Sequence, residues 1–236
     1  MKNKIIDISY LLSKNTFMPG NIKPPTLRAR SRMVKCPEGM GETETRWESY
    51  NNTSIIEIFA HAGTHIDAPF HIDPNGLKID AFETQDFIFD EPMFVNLPKS
   101  DLEKITKDDL SLYKDKLKTS DLLLVYTGFS KYRESDPKRY LEMQPGFSTE
   151  AAEYIISEFP IRAVGIDTPG IENIGKAKPD FPVHKVFLKS GKKFFLIEDA
   201  KLAPIVGENL LRVYTIPLNF KDAEAMSIRA FAEVEK

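Results

Sequence analysis

The amino-acid sequence predicts an α/β fold: a single domain over residues 1–236, with a mixed central sheet flanked by helices. Three observations carry that expectation. From about residue 95 onward, short apolar runs are separated by helical patterns, the texture of α/β units. Before that point β-branched and turn-forming residues dominate, so strand and loop are expected there. No segment repeats and no Gly/Ser/Pro-rich linker divides the chain, whose 236 residues fit one core.

Ile5 to Ser9 reads as a first strand, after which Pro19-Gly20 and Pro24-Pro25 break the chain. Arg46 to Phe59 reads as a hairpin turning at Asn51-Asn52. The stretch leading into it, about 25 residues with no element of its own, has the length of a functional flap, and we expect it to cover the site, completed by a second subunit. Further strands are expected at Met93 to Leu97, Leu122 to Thr127, Ala163 to Ile166, Phe194 to Ile197 and Leu211 to Ile216. Thr106 to Lys118 sets Leu110, Tyr113 and Leu117 at helical spacing. Another helix begins at Ser148, with Glu150 and Glu153 near its positive end. It places Ala151, Ala152, Ile155 and Ile156 on one side and stops before Pro160, which cannot continue it.

Composition narrows the function. With 42% hydrophobic and 28% charged residues the chain can bury a core and is not a disordered class. Lys+Arg 32 against Asp+Glu 35 leaves a net charge of -3, which argues against a dedicated nucleic-acid binder. One cysteine, Cys36, excludes an intrachain disulfide framework, and no apolar run is long enough for a membrane span. The opening MKNKIIDISYLL reaches Asp7 too early for a signal peptide, so cytoplasmic residence is expected, with a small-molecule substrate as the partner. Lys23, Arg28, Arg30, Arg32 and Lys35 form a basic run that reads first as a solvated strand face and second as an anion-binding surface.

Three of the four histidines, His61, His65 and His71, fall within HAGTHIDAPFH together with Asp67. Imidazole and carboxylate are ligands of zinc and related ions, and three protein ligands leave a position open for water. Gly63, Thr64 and Pro69 make a helix doubtful, while on a straight strand four residues span about 13 Å, too far for His61 and His65 to share an ion. The segment must therefore curve, and Gly63 is where it can. A lone histidine or aspartate beside an apolar strand is ordinarily a hydrogen-bonded structural group. Four titratable groups flanked by Ile58, Phe59, Ile66 and Phe70 would be costly to bury without a partner cation.

HAGTHIDAPFH resembles the HxGTHxDxPxH signature of the cyclase-like metal-dependent hydrolases, a group that includes bacterial kynurenine formamidase and isatin hydrolase. IIDISYLL, LLVYTGF, VGIDTPGIEN and HKVFLKSGKKFFLIEDAKL resemble further stretches of that family in the same order. The resemblance implies a swivelling β/β/α domain with a partly barrel-like sheet, and a homodimer or larger homo-oligomer. It implies two divalent ions, Zn²⁺ first and Mn²⁺ second, with His61, His65 and Asp67 on one and Asp67, His184 and Glu198 on the other. His71 is then left unligated as the proton shuttle. The sequence departs from the family at Phe129, at Gly170 and at Asp199-Ala200, which stand where tryptophan, serine and Asn-Leu are frequent.

The implied reaction is hydrolysis of an amide-type carbonyl by activated water, with arylformamidase activity in tryptophan breakdown as the leading expectation. Ring opening of a cyclic amide such as isatin is the alternative, and a non-catalytic metal-binding module is the rival from another class. Structural zinc sites are usually closed and cysteine-rich, which one cysteine does not supply. Cys36 as a nucleophile has no local signature. Trp47, Phe59, Phe70 and Phe129 are candidates for an aromatic pocket, with core packing the equal alternative.

Overall fold

A computed structural model describes residues 3–35, 48–175 and 180–236. Strands β1 (Lys4–Asp7), β2 (Thr26–Lys35), β3 (Glu48–Glu57), β4 (His65–Asp67), β5 (Ile88–Phe89), β6 (Pro92–Asn96) and β7 (Lys104–Ile105) occupy the first half. Helices α1 (Lys107–Ser111) and α2 (Lys114–Leu117) lead into β8 (Leu122–Tyr126), and α3 (Tyr132–Ser135) and α4 (Pro137–Glu142) into β9 (Gly146–Phe147). Helix α5 (Thr149–Glu158), β10 (Ala163–Ile166), α6 (Pro182–Leu188), β11 (Phe195–Glu198), β12 (Leu210–Tyr214), β13 (Ala225–Ser227) and β14 (Phe231–Val234) complete the order.

The main sheet is mixed, in the order β13-β4-β11-β10-β8-β6. Strands β6, β8, β10 and β11 run parallel, and β4 and β13 join antiparallel at one side. A second, antiparallel sheet, β1-β14-β12-β5, covers one face. The alternation of side chains along a strand explains the layering. Leu122, Leu124, Phe195 and Ile197 point into a core shared with Ile6, Val213, Ala232 and Val234 of the second sheet. Leu123, Val125, Val164 and Leu196 point the other way, onto Ala151, Ile155, Val183 and Phe187 of α5 and α6. Two sheets and a helical layer thus give the expected mixed sheet flanked by helices. Strands buried on both faces are near-continuous apolar runs, which is why LLLV was readable.

Helix α5 follows its signals: Ser148 Oγ accepts from Ala151 N, and the helix ends at Glu158. Three expectations need correction. The Thr106 to Lys118 helix is two short ones, interrupted at Leu112-Tyr113, where Leu112 is exposed and only Leu110 and Leu117 are fully buried. The expected hairpin at Asn51-Asn52 is instead the middle of β3, with Asn51 opposite Arg32 and Asn52 opposite Ser31. Its partner β2 occupies much of the stretch expected to be a loop, because Thr26–Lys35 alternates well enough to pair over ten residues. Cys36, Trp47 and residues 37–46 lie outside the described residues.

Candidate metal centre

The donor side chains meet because of strand register. On β4, Ile66 enters the inter-sheet core, so His65 and Asp67 emerge on the helix side. On β11, Ile197 enters that same core, so Glu198 emerges beside them, and Glu198 pairs directly with His65. Gly63 supplies the bend the spacing required: its φ is +62°, and a Cβ there would come within 2.7 Å of Leu12 Cδ2. The bend returns His61 to Asp67, and Ser227 Oγ donates to the carbonyls of Ala60 and Ala62 to hold the turn. His71 ends a single helical turn, Pro69–His71, and its ring lies 4.5 Å from that of His61. Helix α6 packs on the same face through Val183 and Phe187 and brings His184 in from above.

The separations are those of ligands about one cation. His61 Nδ1 is 2.9 Å from Asp67 Oδ1, and His65 Nε2 is 3.4 Å from both Asp67 Oδ1 and Glu198 Oε2. His184 Nε2 is 3.2 Å from Glu198 Oε1. Donors each about 2.0–2.2 Å from one ion stand roughly 3–3.5 Å apart, so this spacing suits a shared dication. His65 Nε2 and both oxygens of Asp67 are buried without a hydrogen-bond partner among the described residues. Leaving such atoms unmet costs about 1–3 kcal/mol each, more when charged, and a cation removes the cost. Two tight donor groups, His61-Asp67-His71 and His65-Asp67-Glu198, share Asp67.

The electrostatics fit the same picture. Burial would raise Asp67, but the charges of His61 and His65 outweigh it and hold its carboxyl well below the usual range. Burial and Asp67 push Glu198 up, and His184 and His65 bring it down to about 2. Burial lowers His61 and His184, but Asp67 and Glu224 raise His61, and Glu172 and Glu198 raise His184, each to about 10. His71 moves the other way: burial, His61 and His184 depress it against the pull of Asp67, which favours a neutral imidazole. In the metal-free chain, stabilisation from the raised imidazoles is complete below about pH 6.5 and is lost as pH climbs through about 10. A dication competes for those nitrogens, so zinc titration near neutral pH is expected to release protons. Calorimetry in buffers of different ionisation enthalpy reads this, and identical heats would contradict it.

The sequence pointed to none of the second layer of contacts. Glu172, buried, takes His184 Nδ1 at 2.7 Å and the backbone N–H groups of Val183 and His184, fixing the ring and capping α6. Glu198 Oε1 accepts from Ile171 N at 2.6 Å. Glu224 approaches His61 Nε2 at 3.3 Å. Asp199, next to Glu198 and at φ +47°, is gripped by Arg133 Nε and Nη2 at 2.7–3.0 Å and by the Tyr140 hydroxyl at 2.7 Å. Its carbonyl accepts from Thr64 Oγ1, so one residue ties the ends of β4 and β11 together. Arg133→Met would strand a buried carboxylate and is expected to destabilise the fold by about 3–5 kcal/mol. Urea unfolding checks this, and a loss below about 1 kcal/mol would contradict it.

A cavity of about 280 Å³ opens over the cluster, its lining made of the polar His61, His65, His71, His184, Glu198 and Asp199 together with the apolar Phe17, Ile22, Phe59, Pro169, Ile174 and Phe181. Of the aromatic candidates among the described residues, only Phe59 lies here. Phe129 is buried against Tyr132 and Tyr140, and Phe70 sits under Lys78 Nζ.

An imidazole and carboxylate cluster that could hold a metal ion therefore faces an open cavity at one end of a mixed sheet. The chain belongs to the family described as "putative cyclase", whose model matches residues 6–173. It is similar to the kynurenine formamidase of Bacillus cereus, at 27% identity over 191 residues, 79% of this chain and 84% of that one. An uncharacterized protein of Haemophilus influenzae is 34% identical over 116 residues, 49% of this chain and 82% of the relative. An isatin hydrolase bound to the product analogue thioisatinate has the same fold, with TM-score 0.74, 19% identity and coverage of 100% and 94%. Isatin hydrolase A from Labrenzia aggregata gives TM-score 0.70 at 20% identity, covering 99% and 94%. No helix among the described residues is long and apolar enough to cross a membrane.

Proposed function

We propose that this chain is a metal-dependent amidohydrolase of the arylformamidase type, releasing formate from an N-formylated aromatic amine such as N-formylkynurenine. The observation that carries the reading is Asp67, a fully buried carboxylate without a hydrogen-bond partner among the described residues, facing His61 and His65 beneath an apolar cavity. The similarity to the Bacillus cereus kynurenine formamidase supports the choice of bond.

His61, His65 and Asp67 would hold one divalent ion and Asp67, His184 and Glu198 a second, Zn²⁺ by first choice and Mn²⁺ by second. When bound, the ions supply a water of lowered pKa and polarise the scissile carbonyl. Asp67 is the residue common to both donor groups of the structure, His61-Asp67-His71 and His65-Asp67-Glu198. His71, neutral in this environment, takes the proton of the attacking water and returns it to the leaving nitrogen. Phe59 and Phe181 flank the cluster and would hold an aromatic ring while excluding bulk water. A second reading makes His71 a ligand, because its nitrogen falls in one donor group with His61 and Asp67.

The test offers zinc-loaded protein N-formylkynurenine and isatin and measures formate release and ring opening. Turnover of the formamide is expected; turnover of neither would contradict the substrate assignment. Glu172 acts through His184, so Glu172→Gln is expected to weaken zinc binding by about 10- to 100-fold with the fold intact. Competition against a chromogenic chelator measures it, and unchanged affinity would contradict it.

A further inference from the structure

Among the described residues no lysine or arginine lines the cavity over the cluster. A second hollow, about 630 Å³, adjoins it, and Ile22 and Phe59 form the wall they share. Lys23 and Arg28 line the second hollow, with Glu57 the one acid beside them. Neither cation is engaged in an ion pair among the described residues. Arg28 is the third residue of β2, so the start of that strand sets this end of the basic run in the hollow beside the site.

We propose that the second hollow is a carboxylate-binding subsite. A substrate whose amide reaches His71 and the buried donors would lay its apolar body on Phe17, Phe59 and Phe181 and carry an anionic tail past Ile22 to Lys23 and Arg28. Two cations and one acid leave a net positive charge there, while the donor cluster is itself rich in carboxylates, so the two ends of an amphiphilic amide are told apart. Exposed pairs add little affinity each, and their effect falls with salt. The inference rests on the amide-hydrolase reading.

The test compares formanilides that differ only in the para chain, ending in methyl or in carboxylate, at several chain lengths, with zinc-loaded protein. At the best length the carboxylate is expected to lower KM about fivefold relative to its neutral partner with kcat level. The Lys23→Gln, Arg28→Gln double variant is expected to bring that KM ratio to about one, as is high salt in the parent. No gap at any length, or a gap that survives the double variant, overturns the subsite. If neither series is hydrolysed, the amidase reading fails by itself, and the matching anilines titrated by NMR decide the subsite. Preferential binding of the carboxylate aniline by the parent alone supports it, and equal binding overturns it.

Discussion

Glu198→Gln is expected to lose its divalent metal and, with it, nearly all hydrolytic activity. The substitution keeps the shape of the side chain and an oxygen for Ile171 N, but it removes the charge that His65 and His184 approach at 3.4 and 3.2 Å. Breaking a buried charged set costs about 3–5 kcal/mol, equivalent to about 10²- to 10⁴-fold in metal affinity. His65→Ala removes a donor from the same set and is expected to behave alike, with circular dichroism showing the fold retained. Zinc affinity and formate release are measured together on both variants. Activity that survived the loss of metal would separate the cluster from the chemistry.

His71→Ala is expected to do the opposite with metal: occupancy stays and kcat falls by about 10²- to 10⁴-fold, the usual worth of a positioned proton carrier. The acid limb of the pH profile tells the same story. A base must be neutral to act, so the parent's rate should fall as pH drops through the His71 pKa, which burial and its neighbours hold below the ordinary value. In the variant that limb should vanish. Loss of metal from His71→Ala would instead make His71 a ligand, and full activity would remove it from the reaction.

Much of this centre was legible because its first half is local. Three histidines and Asp67 occupy eleven residues, and the impossibility of a straight strand pointed to a bend at Gly63, where the backbone has φ +62°. His184 and Glu198 came from the resemblance alone, since only tertiary packing brings α6 onto β11. That helix had a signal, Pro182 at its start and Val183 and Phe187 one turn apart. Glu172 had none: its partner is twelve residues away in the sequence, and nothing in IEN distinguishes a ring-orienting carboxylate from a solvated one. In the fold, buried runs such as LLLV declared themselves, whereas Glu48–Glu57 is polar enough to pass for a turn. Leu112 broke the 106–118 pattern because helical spacing does not reveal where a chain must turn to bury its neighbours.

The central claim is that buried imidazoles and carboxylates from two distant stretches converge on a pair of cations. Elemental analysis of protein reconstituted with zinc and cleared of excess tests it most directly. The prediction is about two ions per chain in the parent, falling in His65→Ala and Glu198→Gln. Protein that stays folded and retains no stoichiometric divalent metal would contradict it.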